Sequence, residues 1–146
     1  MTDPSEAILT AFYNLLEGNL KYPATTGDVW HVFMGMPQQG VGRCVDLSTL
    51  DMFDDDGNDT LDCVLTMEVV DGTPYAGGFK TAPVNSIGSQ IVALVAKKDF
   101  TITGYTFTVL PFLEGNELFK DIISQNNLNL ITPRKVMNFR FSCKGN

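Results

Sequence analysis

Apolar positions near the start of the chain recur every three or four residues, as they do along one side of an α-helix. These positions are Ile8, Leu9, Phe12, Leu15 and Leu16. Asp3 can cap such a helix, Pro4 suits its first position, and Glu6 stands where a capping box places a carboxylate. Gly18 suits its end. The pattern therefore predicts a first helix with one buried side.

A second helical stripe extends from about Pro83 to Lys98 and contains Val84, Ile87, Ile91, Leu94 and Val95. Gly88 interrupts it at a cost of about 1 kcal/mol relative to alanine, so we expect tertiary packing to hold this helix. A shorter stripe of Leu118, Phe119, Ile122 and Ile123 predicts a short extra helix over Glu114–Gln125, which Asn126–Asn129 would break.

Alternation of apolar and polar residues predicts strands in the remaining segments. The clearest are Leu61–Val70 and Arg134–Cys143. In the first, the residues that share one face are Cys63, Leu65, Met67 and Val69. In the second, the inward set is Met137, Phe139, Phe141 and Cys143, and the outward set is Asn138, Arg140 and Ser142. Further strands are predicted at Val29–Met36, Arg43–Leu50 and Phe100–Leu110, the last ended by Pro111.

The order of these elements predicts an α+β fold. Helix, strands, helix and strands follow one another, without the strand–helix alternation of a doubly wound parallel sheet. A length of 146 residues is that of one ordinary domain. We therefore expect a single domain over 1–146, with a four- to five-stranded, mainly antiparallel sheet and the two main helices packed on one face.

Charge narrows the classes of partner. The formal net charge is −7 and the isoelectric point is near 4.4, which disfavours binding to specific DNA sequences or to an anionic membrane. Charged residues make up only 18% of the chain, which favours a surface covered by partner proteins. The acidic N-terminus does not resemble a signal peptide, and no apolar run approaches the roughly 20 residues that span a bilayer.

Candidate chemistry is sparse. Cys44, Cys63 and Cys143 lack zinc-ligand spacing, so we expect free, buried thiols in a reducing compartment. His31 is the only histidine. Its position within a strand favours a structural residue with a local hydrogen bond, and the alternative is a catalytic histidine beside a carboxylate of the sheet. No glycine-rich phosphate loop and no GxSxG nucleophile motif occurs.

The acidic run Asp54–Asp59 invites comparison with a calcium loop. Placing Gly57 at the sixth position of an EF-hand loop puts Met52 first and Cys63 twelfth, so the ligand pattern fails at both ends. A solvated hairpin loop is expected, with a weak cation site as the alternative. The sequence thus predicts no catalytic residue, no cofactor and no metal site.

Charge polarity suggests self-assembly. The acidic residues Asp54, Asp55, Asp56 and Asp59 lie mid-chain, and the basic residues Arg134, Lys135 and Arg140 lie near its end. Both sets could simply be solvated. Alternatively, they form complementary sides of a subunit contact, and contacts between two different patches close into rings. Core packing explains most of a set of loop-proximal aromatics, of which one or two could anchor an interface: Tyr75, Phe79, Phe107, Phe112 and Phe119.

The layout resembles the tail-completion or tail-terminator proteins of tailed bacteriophages. The shared features are the amphipathic helix Glu6–Glu17, a strand pair leading to a polar loop, the helix Val84–Val95 and the closing strand Arg134–Phe141. The resemblance implies a non-catalytic virion protein, assembled in the host cytoplasm, that forms a ring at the head–tail junction. The ring would be hexameric in many relatives, and its partners would be further copies and other neck and tail proteins.

Two other functions remain open at this point. The first is a small binding module that holds a peptide or ligand on a sheet face around Trp30, Tyr105 and Phe107. The second is an enzyme that uses His31. A deep apolar pocket would favour the first, and a cleft with His31 at its base beside an acidic residue would favour the second.

Overall fold

A computed structural model describes residues 3–35, 42–54, 59–72, 80–125 and 128–146, without the side chains of 123–131. Its elements in chain order are α1 (Pro4–Leu16), β1 (Lys21–Tyr22), β2 (Asp28–Val29), β3 (His31–Phe33), β4 (Arg43–Asp54), β5 (Thr60–Asp71), α2 (Ala82–Val95), β6 (Tyr105–Gln125) and β7 (Leu128–Gly145). Strands β3, β4, β5, β7 and β6 form a five-stranded sheet in that order, and β1 pairs with β2.

The predicted α+β fold is confirmed, and the sheet is mixed. The pairings β4–β5, β5–β7 and β6–β7 are antiparallel, whereas the short edge strand β3 runs parallel to β4. The segment predicted as one strand, Val29–Met36, is divided between β2 and β3, and Met36 lies outside the described residues. Two of the antiparallel pairs, β4–β5 and β6–β7, join strands that are consecutive in the chain, whereas β5 and β7 are separated in the chain by α2 and β6.

Helix α1 begins and ends where its sequence indicated. The Asp3 side chain accepts a hydrogen bond from the Ser5 backbone N–H at 2.9 Å, and Gly18 follows with a φ of +83°, which only glycine adopts freely. Phe12 projects from this helix onto Phe141 of β7, with ring centroids 5.3 Å apart. The helix therefore packs on the face of the sheet that carries Phe141.

Helix α2 packs on the same face, and Gly88 explains how closely. A Cβ at Gly88 would lie 3.1 Å from the Cδ of Lys135 on β7, so the absence of a side chain lets the lysine stem cross the helix. Close tertiary packing therefore offsets the destabilising effect of this glycine on the helix, as the sequence suggested. The helix ends at Val95, three residues before the predicted end at Lys98.

The core lies between the two helices and this one face of the sheet. The inward residues of β5 and β7 predicted from alternation are all fully buried: Cys63, Leu65, Met67, Val69, Met137, Phe139, Phe141 and Cys143. Burial of such a side chain stabilises the fold by about 1.5–3 kcal/mol. In the described part of the chain, neither helix packs on the other face of β5 and β7, which is the open face of the sheet.

The predicted extra helix over Glu114–Gln125 is wrong. This segment is the second half of β6, and it pairs without interruption with β7 from Asn116 opposite Met137 to Gln125 opposite Leu128. The apolar pairs Leu118–Phe119 and Ile122–Ile123 fit a helical period and a strand equally well. Pairing with β7 decided between the two, as tertiary context often does for short apolar runs.

Strand β6 also continues past the residue predicted to end it. Pro111 lies within the strand, between register shifts on either side. Because β6 is the edge of the sheet, an outward position needs no N–H for the ladder, which is where proline is tolerated. The strand begins at Tyr105 and not at the predicted Phe100. Between these two residues, only Ile102 is paired, through an isolated bridge to Tyr105.

Candidate interaction surfaces

The open face of the sheet is polar and internally bonded. Alternation along β5 and β7 directs Thr66 and Asn138 away from the helices, and the Thr66 hydroxyl donates to the Asn138 side-chain carbonyl at 2.7 Å. Four residues further along β7 on the same face, the Ser142 hydroxyl donates to the Asp62 carboxylate. Among the described residues, no buried side-chain nitrogen or oxygen lacks a partner.

Arg134 is the centre of this bonding. Its Nη1 lies 2.6 Å from Glu68 Oε1, its Nε lies 3.0 Å from Asp121 Oδ2, and its guanidinium stacks 4.7 Å from the centre of the Phe119 ring. The hydrogen bond to Asp121 and the one to Glu68 raise the pKa of Arg134 further above its usual value. Arg134, expected at a subunit contact, therefore links β5, β6 and β7 of its own chain.

The other two basic residues of that set lie on opposite faces. Arg140 is on the open face, 3.1 Å from Glu114, and both side chains remain close to half exposed. Lys135 is on the helix face, where its Nζ donates to the Asn85 side chain at 3.2 Å and burial lowers its pKa. The structure thus divides the predicted basic cluster and leaves Arg140 as its accessible member.

The acidic residues lie at the opposite end of the sheet from Arg134. Asp54 ends β4 opposite Leu61, which is itself opposite Cys143, whereas Arg134 is opposite Val70. Asp59 is exposed beside the start of β5, and Asp55 and Asp56 lie outside the described residues. Asp54 and Asp59 are therefore not brought to Arg134 within one chain, and the role of the acidic and basic sets between copies stays a prediction.

Exposed apolar side chains concentrate on two strands. Those on β6 are Val109, Leu110, Phe112, Leu118, Phe119 and Ile122, and those on β4 are Met52 and Phe53. Ile122 and Phe53 are the most exposed of these, at 69% and 60%. Singly exposed apolar residues are ordinary, but runs along one edge mark candidate contact surfaces. Of the aromatics proposed as anchors, Phe112 and Phe119 are in this set, and Tyr75 and Phe79 lie outside the described residues.

His31 joins the end of α1 to the sheet. Its Nδ1 lies 2.7 Å from Glu17 Oε1, and the second oxygen of Glu17 accepts the backbone N–H of Val32 at 2.6 Å. The local hydrogen bond predicted for His31 is confirmed. A carboxylate is present, as a catalytic histidine would need, but the His31 side chain is 65% exposed on the surface and not at the base of a cleft.

The cysteines and the buried carboxylates belong to the interior. All three cysteines are free and buried, as predicted. Burial, with Asp46 nearby, raises the pKa of Cys44 to about 11, so this thiol is unreactive. Asp46 is itself buried, accepts the Gly35 N–H at 3.1 Å, and has a pKa raised chiefly by burial. Buried Asp71 is paired with Arg43 at 3.1 Å.

The described part of the chain has shallow clefts, of which one of about 560 Å³ lies beside Phe100, Tyr105 and Phe107 and is lined by polar and apolar residues. No group of three His, Cys, Asp or Glu there could hold a metal ion. No described helix is long and apolar enough to cross a membrane. A cleft of about 240 Å³ between α1 and the strand-leading segment at Thr101 and Thr103 is lined by small and polar residues. Trp30, expected on a binding face, is 1% exposed in the core.

Comparison with solved structures finds a similarity that extends over almost the whole chain. No protein-family profile matches the chain, and no curated protein sequence matches it. A solved chain from the virion of a native gene transfer agent (GTA) particle superposes with a TM-score of 0.70 at 16% sequence identity. The match covers 99% of this chain and 100% of that one. At this identity the similarity establishes a shared fold.

Proposed function

We propose that this protein is a non-catalytic structural component of a phage-like virion, which forms a ring that terminates the tail where it joins the head. Its partners would be further copies of the chain and other neck and tail proteins. The observation that carries the proposal is the end-to-end match to a chain of a GTA virion. Because both chains are covered almost completely, the similarity includes the helices, the sheet and their connections.

The distribution of chemistry supports an assembly role. The one histidine is exposed and bound to a carboxylate that also holds the backbone of β3, and the cysteines are buried. The open sheet face is internally bonded, and the exposed apolar residues lie along strands at its two sides. A structural protein needs such surfaces more than it needs a pocket.

The ring and the position at the tail end come from the resemblance in layout, namely an N-terminal helix, a second helix before the last hairpin, and a closing strand with alternating residues. The low content of charged residues, 18%, fits a chain whose surface is largely covered in the assembled particle. The acidic overall charge fits a wall past which DNA moves without being held.

The proposal is tested by two measurements on the purified protein. Native mass spectrometry and negative-stain electron microscopy over a wide concentration range should detect a closed ring of one defined stoichiometry. Added to polymerising tail-tube protein of the same virion, the protein should stop growth at amounts far below those of the tube subunit, because only the tube end is bound. A chain that stays monomeric and leaves tube length unchanged would overturn the proposal.

A further inference from the structure

Two surfaces at the sides of the sheet combine exposed apolar residues with opposite charge. The β4 flank consists of Asp51, Met52, Phe53 and Asp54, all exposed, at the end of β4 that β3 does not cover. The β6 flank consists of Val109, Leu110 and Phe112, between 37% and 46% exposed, with Lys97 and Lys98 beside them. Lys97 is held there because its N–H donates to the Pro111 carbonyl at 2.7 Å.

The two flanks lie at the same height on opposite sides of one sheet. Val109 of β6 is opposite Ser142 of β7, Ser142 is opposite Asp62 of β5, and Asp62 is opposite Phe53 of β4. The next described row joins Phe112, Arg140, Val64 and Asp51 in the same way. Copies placed side by side in one orientation therefore bring Phe53 toward Val109, and Asp51 toward the row of Phe112 and Arg140.

The charges of the flanks are complementary. Asp51 and Asp54 flank the apolar pair Met52–Phe53, and Asp59 lies just beyond. On the other side, Lys97 and Lys98 outnumber the adjacent Asp99, and Arg140 remains 45% exposed despite its contact with Glu114. In a chain of net charge −7, a basic surface beside an apolar one stands out. Complementary charge of this kind selects a partner and fixes register.

The irregularity of β6 disfavours the addition of another strand to its outer edge. A partner would therefore contact the side chains of β6 and not extend the backbone ladder. Register shifts occur between Phe107 and Val109, between Val109 and Phe112, and between Leu113 and Gly115. Pro111 in the middle of this stretch has no N–H to donate. Bulges and proline are the usual protection of an edge strand against continued sheet pairing. The exposed apolar residues between them remain available for docking.

We propose that the β4 flank of one copy docks on the β6 flank of the next copy. The inference rests on the proposed function, since it supplies the repeated contact that a ring needs. Because the two flanks are different surfaces, the contact is head-to-tail, and a constant rotation between copies closes it. The acidic partners of this contact are Asp51 and Asp54, and the basic ones are Lys97, Lys98 and Arg140. Arg134 and Lys135, already bound within their own chain, are not required.

The first test removes the apolar part of the contact. Phe53→Asp places a charge at the centre of the β4 flank. Met34→Asp is the matched control, because Met34 is also exposed, at 54%, but follows β3 near Asp46, away from the β4 flank. Sedimentation velocity should show self-association weakened at least about tenfold by Phe53→Asp and unchanged by Met34→Asp. Circular dichroism and thermal melting verify that both variants fold.

The second test exchanges the charges. One variant carries Asp51→Lys with Asp54→Lys, and the other carries Lys97→Glu with Lys98→Glu. Each variant alone should associate about tenfold more weakly than the wild type, because its altered flank meets a like charge. Mixed in equal amounts, the two should assemble again with alternating copies, which native mass spectrometry recognises from a mass tag on one of them.

The outcomes separate the inference from the function on which it rests. A wild-type protein that forms rings, with Phe53→Asp and both charge variants assembling equally well, overturns the inference and leaves the proposed function standing. Rings formed by each charge variant alone but not improved by mixing also overturn it. A folded wild-type protein that stays monomeric at all concentrations overturns both. Selective loss with recovery on mixing supports the contact as described.

Discussion

The two faces of strands β5 and β7 are made by alternate residues of the same segments, yet they hold the protein together differently. Toward the helices, Leu65 and Phe139 are fully buried among apolar neighbours. Away from the helices, the residues adjacent to them, Thr66 and Asn138, are hydrogen-bonded to each other and only partly buried. The covered face contributes free energy in proportion to the area removed from water, whereas the open face contributes directional bonds.

This difference assigns the faces different tasks. Burial without direction stabilises many registers that keep apolar residues inside, whereas the bonds of Arg134 to Glu68 and Asp121 form in one register only. Those bonds are made within the chain, so the side chains that form them already have partners. Under the proposal, contacts with other copies fall to the flanks, where apolar side chains remain exposed.

The largest expected effect is on the covered face. Phe139→Ala should lower the free energy of unfolding by about 3–5 kcal/mol, because it removes a fully buried ring and leaves a cavity. Denaturant unfolding followed by circular dichroism measures the change. Phe53→Ala serves as the control: that ring is 60% exposed, so its removal should change stability by less than about 0.5 kcal/mol. Equal effects would contradict the distinction between core and surface drawn above.

A smaller effect is expected from the centre of the open face. Arg134→Ala should cost about 1–2 kcal/mol, since it breaks two ion pairs of a partly buried side chain and leaves Glu68 and Asp121 facing each other. Arg140→Ala, which breaks one exposed pair with Glu114, should cost less than about 0.5 kcal/mol. The Arg134 loss should shrink in high salt, when screening weakens the pairs. A larger loss of stability for Arg140→Ala than for Arg134→Ala would contradict the conclusion that Arg134 is the centre of bonding on the open face.

The buried carboxylate of Asp46 should make the stability of the protein depend on pH. Burial raises its pKa in the folded state above the unfolded value, so ionisation costs stability as the pH rises through the raised pKa. Asp46→Asn keeps an acceptor for the Gly35 N–H and removes that cost. We expect it to stabilise the protein at pH 7 by up to about 1 kcal/mol. Below the ordinary carboxyl pKa of about 3.9, the gain should vanish; a gain that grows on acidification would refute this reasoning.

A small effect, of the same order as that at Asp46, is expected at the hydrogen bond between Thr66 and Asn138. Thr66→Val keeps the shape and removes the hydroxyl donor, which should cost about 0.5–1.5 kcal/mol. Thermal unfolding measures it, and Thr49→Val, on the same row of the sheet, gives a matched change. If Thr66→Val lowered the free energy of unfolding as much as Phe139→Ala, the conclusion that the covered face contributes more stability than the open face would be wrong.

Much of the fold could be predicted because local patterns and tertiary structure agree. The cap at Asp3, the stripe of α1 and the alternation of β5 and β7 each have one geometric solution that buries the apolar residues. The segment Glu114–Gln125 has two such solutions, a helix and a strand, and the structure adopts the strand. The dipeptide Asn126–Asn127, between strands that pair from Gln125 to Leu128, was the available signal, because asparagine favours two-residue hairpin turns.

The candidate site was less predictable. Sequence identified the acidic stretch that includes Asp54, and Phe112 and Phe119 among possible anchors. It could not reveal that Arg134 is bound to Glu68, 66 residues away, or that Lys135 faces α2. Nor could it place Phe53 in one row with Val109. Each of these facts depends on which strands are neighbours and in what register.

By itself, the sequence determined the elements with a strong period, the inward set of β5 and β7, the buried free thiols and the scarcity of recognisable chemistry. These follow from local spacing and composition, which act within a few residues. The tertiary structure alone decided that β6 continues as a strand to Gln125, that the basic cluster divides between two faces, and that an acidic and a basic flank stand level at the sides of one sheet. Such features are set by pairing between distant segments. The sequence of one segment does not specify which other segment pairs with it, or in which register.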